Sequence, residues 1–232
     1  MKYKAVIFDL DGTLYDRNTA QIKVVELITQ QFPQTFEGFN KERLIEAFME
    51  SDRLSTVDFE AGDPYETLRR KRTTYFLQLL DIKDDYIDAI TEIYVRDYPK
   101  MNLPIAGAVP LVKELSTRLP VALISNGLPD VQYIKLETIG LKDVFSYIVL
   151  SEEIGIRKPD TRIFHFAANL LQIQPEDCLY IGDSYRNDIV GAKSAGMQAC
   201  WFNRESSTPE NLDIQADLVI NRFEELANVL KE

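Results

Sequence analysis

Histidine is nearly absent from this chain, with one in 232 residues. A histidine triad or a histidine-rich zinc site therefore has almost nothing to work with, and His165, within RIFHFAANL, reads as a helix residue without a catalytic task. Cysteine is almost as scarce. Cys178 and Cys200 sit in apolar runs without CxxC spacing, so they read as buried reduced thiols rather than a disulfide or metal site. No stretch approaches the roughly 18 consecutive apolar residues of a membrane span. Asp9 and Asp11 interrupt the apolar stretch near the start, where a signal peptide would need its apolar centre, so a cytoplasmic protein is expected. Positive charge is also short: 26 Lys and Arg against 37 Asp and Glu leave a formal net charge of −11. That argues against a nucleic-acid polymer or an anionic membrane as main partner, because both demand a basic footprint. A few local cations could still hold a small anion. Repeats, low-complexity tracts and GxGxxG are missing too, and nothing in the sequence speaks to oligomeric state.

What is present suffices for a substantial core. The chain is 45% hydrophobic, and its length suits one domain carrying an insertion. Runs rich in Val, Ile and aromatics recur at 4–8, 120–125, 147–150, 178–182, 199–202 and 217–220, alternating with helical patterns after the first. This predicts an α/β fold, a parallel sheet with helices on both faces. Between Asp16 and about Leu103 the pattern changes to successive amphipathic stretches: IKVVELITQQF, KERLIEAFME, YETLRRKRTTYFLQLL and DDYIDAITEIYVRDY. A helical domain over 16–103 is expected, inserted into a core of 1–15 and 104–232, with breaks after Thr13 and at 102–107.

Open parallel sheets gather ligands at the carboxyl ends of their strands, and these ends are unusually polar here. The first strand runs into Asp9, then Asp11, Gly12 and Thr13. The second ends in Ser125, followed by Asn126 and Gly127, and the fourth in Gly182 and Asp183, with Asp188 close behind. Lys158 lies in GIRKPD, after the third. Two carboxylates as close as Asp9 and Asp11 repel unless a cation, a proton or a hydrogen-bond network lies between them. A carboxylate pair plus Asp183 offers hard oxygen ligands suited to Mg²⁺, which also takes up substrate phosphate. With such a cation present, Asp9 can attack phosphorus and form an aspartyl-phosphate. Lys158 would hold the transferring oxygens. Asp11 could protonate the leaving alkoxide and later deprotonate water, a role worth about 10²–10⁴-fold in rate. Ser125 and the backbone donors around Asn126 would grip the phosphate, and Gly12 would allow the sharp turn beneath it.

DLDGTL at 9–14, ISNG at 124–127, Lys158 in KPD and GDSYRND at 182–188 together resemble the four motifs of the haloacid dehalogenase superfamily. The chain is most similar to its phosphatase branch with a helical cap inserted after the first motif. That resemblance implies a Rossmann-like core with a cap domain, and a Mg²⁺-dependent phosphatase acting on a small phosphorylated metabolite. It implies Asp9 as nucleophile, Asp11 as general acid and base, and Ser125 and Lys158 as phosphate ligands. The metal would be held by Asp183, the Asp9 carboxylate and the backbone carbonyl of Asp11. Asp188 matches a second acidic position, open between metal-site support and helix N-terminal capping.

Rival readings fit less well. A dehalogenase of the superfamily lacks the second aspartate and needs no Mg²⁺. A phosphonate-cleaving relative usually has alanine at the Asp11 position. A phosphorelay receiver carries its acceptor on a later strand and has no helical insertion. A mutase shares the core chemistry, and only release of free phosphate separates it. Within the capped phosphatases the likeness leans toward nucleotidase-like and phosphoglycolate-phosphatase-like groups, leaving nucleoside monophosphates, phosphoglycolate and sugar phosphates open. In YETLRRKRTTYFLQLL the apolar stripe of Tyr65, Leu68, Tyr75, Phe76 and Leu79 also takes in Arg72. Its guanidinium is expected either to reach water past a packed stem or to bind substrate from the cap.

Overall fold

A computed structural model of the chain describes residues 3–209 and 213–230; of residues 65, 66, 228 and 229 only the backbone is described. All six apolar runs form strands: β1 (Ala5–Phe8), β2 (Val121–Ser125), β3 (Tyr147–Leu150), β4 (Cys178–Gly182), β5 (Gln198–Phe202) and β6 (Leu218–Ile220). They make one sheet in the order β3-β2-β1-β4-β5-β6, and every pairing is parallel. β1, β2 and β4 are buried along their whole length, which explains why they read as unbroken apolar runs rather than alternating ones.

The chain leaves β1 toward β2 and β3, then returns to lay β4 on the other side of β1. Strand order thus reverses beside β1, and the crevice of such a sheet opens there. Register carries this to individual residues: Phe8 lies level with Leu123 and with Ile181, so Asp9, one residue on, sits between the ends of both neighbours. Helices α1 (Arg17–Gln31), α2 (Lys41–Glu60), α3 (Tyr65–Leu79) and α4 (Ile87–Asp97) follow β1 with no strand among them. The later connections hold α5 (Ala108–Ser116), α6 (Pro129–Thr138), α7 (Ser151–Ile154), α8 (Thr161–Leu171), α9 (Gly191–Ser194) and α10 (Phe223–Val229). None of the described helices is long and apolar enough to cross a membrane.

The chain divides into two compact units. One holds everything up to Arg17 and from Asn102 on; the other is Asn18–Met101. In the first, Ile7, Ile124 and Tyr180 pack one sheet face against Ile163 and Phe164 of α8 and Ala192 of α9. Phe164 meets the Tyr180 ring edge-on, with centroids 5.0 Å apart, and so fixes where the tyrosine hydroxyl sits. Cys178 and Cys200 are both free and buried, and His165 is exposed on α8.

The second unit has a core of Phe36, Phe48, Phe76 and Tyr94. Arg72 corrects the expectation of a side chain reaching water. It is buried, its Nε lies 2.7 Å from Asp52 Oδ1, and its guanidinium sits 4.3 Å from the centre of the Tyr94 ring. A partner supplied by α2 holds it inside its own unit, and that partner cannot be seen from the α3 stripe. The side chain of Tyr65 lies outside the described residues.

Candidate active site

Asp9 extends the β1 ladder by one bond, its N–H donating to Ile181 O at 2.9 Å. Its buried carboxylate accepts from Lys158 Nζ at 2.6 Å. The same ammonium lies 2.7 Å from Asp188 Oδ1, 3.0 Å from Tyr180 Oη and 3.2 Å from Ile124 O. Buried charge on this scale is tolerated only when paired and hydrogen-bonded, as it is here. Asn126 clamps the backbone of Lys158 from both sides, donating from Nδ2 to its carbonyl and accepting its N–H, each at 2.9 Å. The Asn126 side chain therefore holds the loop that presents Lys158, and the expected contribution of Asn126 to phosphate binding rests on the backbone donors around it.

Asp9, Asp183 and Asp188 each offer an oxygen, all within 4.8 Å of one another. Burial pushes the Asp9 carboxyl well above the usual range despite the opposing Lys158 charge, with Asp188 and Asp183 adding to the rise. Asp183 is pushed up to about 7 by burial first and by the Asp188 charge second, while Lys158 and Thr13 pull it down. Thr13 Oγ1 donates to Asp183 Oδ1 at 3.2 Å, and the Trp201 indole N–H donates to the Asp183 carbonyl at 2.8 Å. Three clustered carboxylates and one ammonium, paired with Asp9 and Asp188, leave two negative charges uncompensated when all are ionised. The donor set is all oxygen and the deficit is two, so the site suits a hard divalent cation such as Mg²⁺. Asp188 joins this cluster, and its Oδ2 accepts the Ser184 N–H at 2.9 Å at the start of the turn 185–190. Gly12 has φ +86°, and a β-carbon there would overlap the Asp183 carboxylate, so a larger residue would be strained and would displace that carboxylate.

Asp11 takes no part in that cluster through its side chain. Its Oδ1 accepts from Lys135 Nζ at 2.6 Å and its Oδ2 from Gln132 Nε2 at 2.7 Å. Burial alone would raise its pKa, but the charges of Lys135 and Arg17, with these two hydrogen bonds, hold it below the usual range. The idea of one cation lodged between the Asp9 and Asp11 carboxylates is therefore corrected: each is paired with its own lysine. Gln132 Nε2 also donates to Ser125 Oγ at 2.7 Å.

Gln132 and Lys135 are site residues that sequence reasoning missed, and both are buried on α6. The signal was available. In LPDVQYIKLETI the helical stripe through Leu128 and Ile139 takes in Gln132, Lys135 and Leu136, so two polar residues occupy inward positions. Among the expected residues the structure gathers Asp9, Asp183 and Asp188 in one cluster with Lys158 bridging Asp9 and Asp188, and sets Asp11 and Ser125 around Gln132. Arg72 belongs to the other unit.

A parallel sheet covered on both faces, with a lysine-bridged carboxylate cluster at its carboxyl end and a helical insertion directly after β1, defines an α/β enzyme working at its strand ends. The chain belongs to the haloacid dehalogenase-like hydrolases, whose family model matches residues 3–196. It is 27% identical to the pyrimidine 5′-nucleotidase YjjG of Escherichia coli over 207 residues, 88% of this chain and 87% of the relative. It is 30% identical to the glyceraldehyde 3-phosphate phosphatase of Methanopyrus kandleri over 240 residues, covering 99% and 97%. The magnesium-bound crystal structure of the putative hydrolase YfnB from Bacillus subtilis superposes with a TM-score of 0.86 at 25% identity, over the whole of both chains.

Proposed function

We propose that the protein is a Mg²⁺-dependent phosphatase that hydrolyses a small phosphomonoester through an aspartyl-phosphate on Asp9, with residues 16–103 acting as its cap. The observation that carries this reading is the separation of the two carboxylates of the first motif. Asp9 belongs to the Lys158-bridged cluster, whereas Asp11 is held apart by Lys135 and Gln132. One is placed to bond to phosphorus, the other to handle a proton.

Asp9, Asp183 and Asp188, with the backbone carbonyl of Asp11, are the groups that would hold the cation. When bound, Mg²⁺ would neutralise charge on the carboxylates and the phosphoryl oxygens. In the first step an Asp9 oxygen bonds to phosphorus and the ester P–O bond breaks. Lys158 balances the anionic oxygens, and the Ser125 hydroxyl with nearby backbone N–H groups grips the phosphoryl group. Asp11 is a carboxylate in the free protein, so it takes up the proton that enters with the phosphomonoester, whose second ionisation falls near pH 6, and passes it to the leaving alkoxide, which returns Asp11 to the ionised form. In the second step the Asp11 carboxylate removes a proton from the water that attacks phosphorus, and Asp9 is released.

Nucleoside monophosphates are the favoured substrate class, supported by similarity to a pyrimidine 5′-nucleotidase over most of both chains. Small sugar and triose phosphates are the second reading, favoured by similarity to a glyceraldehyde 3-phosphate phosphatase over nearly full length. Phosphate release from a panel of phosphomonoesters tests both. Turnover with Mg²⁺, its loss in EDTA and its absence in Asp9→Asn are the expected results. Full activity without metal, or near wild-type turnover by Asp9→Asn, would overturn the mechanism.

A further inference from the structure

Gln132 stands between the residue expected to carry the proton and the residue expected to grip the phosphate. Its side-chain nitrogen lies 2.7 Å from Asp11 Oδ2 and 2.7 Å from Ser125 Oγ. The orientation of this amide follows from its neighbours. With the Lys135 ammonium 2.6 Å from the other oxygen, Asp11 is the anionic half of an ion pair and can only accept. The group facing it is therefore the NH₂, which then donates its second hydrogen to Ser125. This leaves the Gln132 oxygen buried and without a hydrogen-bond partner among the described residues. A buried orphan acceptor is costly. It persists because the reverse orientation would set an amide oxygen against a carboxylate.

The consequence falls on Ser125. Its oxygen accepts from Gln132 Nε2 and also from the Gly127 N–H at 3.2 Å. A hydroxyl has two lone pairs and one proton. Both lone pairs are occupied, so the proton remains for an acceptor outside this trio. Gly127 is part of the same device, since a β-carbon there would overlap the Gln132 amide.

We propose that Gln132 is a positioning residue that turns Ser125 into a dedicated donor to a phosphoryl oxygen while fixing Asp11 beside the same group. The assignment rests on the phosphatase reading and adds to it a physical link between anion binding and the proton carrier. Lys135 completes the hold, buried on the same face of α6 with its ammonium 4.8 Å from the centre of the Tyr15 ring.

The test is a double-mutant cycle on the binding of inorganic phosphate, measured by calorimetry in Mg²⁺ buffer. It uses the full-length protein, Ser125→Ala, Gln132→Met and their combination. Each single change is expected to weaken phosphate about tenfold, the scale of one lost hydrogen bond. The combination should be within about twofold of either single variant, because Gln132 acts through the hydroxyl that Ser125→Ala removes. Two independent tenfold losses multiplying in the double variant would overturn the proposal, as would unchanged binding in Gln132→Met. If Gln132→Met melts below the assay temperature, Gln132→Glu replaces it. That side chain also sets a second carboxylate against Asp11, so it is read in the same cycle: a loss of at least tenfold is expected that largely disappears on the Ser125→Ala background, and a loss that persists undiminished there would overturn the proposal. Wild-type protein that binds phosphate yet releases none from any phosphomonoester would count against the phosphatase reading alone. Wild-type protein that binds no phosphate would overturn the inference itself.

Discussion

The carboxylates of Asp9 and Asp11, two positions apart in the chain, sit in opposite electrostatic settings. Around Asp9 burial is the largest effect and, together with two further carboxylates, outweighs the opposing Lys158 charge, so its ionised form stays expensive until more positive charge is added. Around Asp11 a lysine 2.6 Å away makes ionisation easy. A single substitution separates their proposed roles. Asp11→Asn keeps Asp9 and the carboxylate cluster intact, so phospho-enzyme should still form from p-nitrophenyl phosphate, whose leaving group needs little proton assistance. Hydrolysis of that intermediate loses its base and should slow by about 10²-fold or more. The expected trace at saturating Mg²⁺ is a burst of p-nitrophenol followed by slow turnover, with alkyl phosphates impaired from the first step. A variant showing no burst, equal losses for both substrate types and a large rise in the Mg²⁺ requirement would make Asp11 mainly a metal-site residue.

At the scale of elements, each unit contains a helix that turns a cation inward. α6 does so with Lys135, one residue before the apolar Leu136, and α3 does so with Arg72 between Leu68 and Phe76. Their partners come from other segments: Asp11 after β1 for Lys135, Asp52 on α2 for Arg72. Removing one member of a buried pair leaves an uncompensated charge, at a cost of about 3–5 kcal/mol. Arg72→Met should therefore lower the unfolding free energy by about that much in urea. Replacing Asp52 by Leu as well should restore more than half of the loss, since two apolar side chains can fill the site without a stranded charge. A double variant no more stable than Arg72→Met would show that packing against Tyr94, rather than the ion pair, dominates at this position.

The whole molecule should report on the carboxylate cluster through its melting temperature. A cation that binds the folded chain and not the unfolded one stabilises by mass action, so Mg²⁺ should raise Tm and EDTA should reverse it. The pH dependence follows from the direction of the shift at Asp183. Its folded pKa of about 7 lies above the unfolded value. In metal-free protein this group therefore stabilises at low pH, and that contribution is lost as pH rises from the ordinary carboxylate range through about 7. Mg²⁺ needs the ionised form. The Tm increment from Mg²⁺ should thus be largest near pH 8 and shrink as pH falls toward 5. A Tm unmoved by Mg²⁺ at pH 8 would count against a metal centre among Asp9, Asp183 and Asp188.

Strand count, parallel pairing and the helical insertion after β1 were all legible in the sequence, because burial on both faces and amphipathic periodicity write themselves into residue order. The polar strand ends at Asp9, Ser125 and Asp183 were legible for the same reason: an apolar run that stops in a carboxylate is visible one residue at a time. Which charge meets which was not. Lys135 and Asp11 are 124 residues apart, Lys158 and Asp9 149, and a pairing over that distance is settled by strand order and register rather than by local pattern. Tertiary structure alone turned Asn126 into a clamp on the Lys158 loop, buried Arg72 against Asp52, and placed one amide between Asp11 and Ser125. In each case the reason is the same: a buried polar atom must find its partner in three dimensions, and the sequence shows only that a partner is needed.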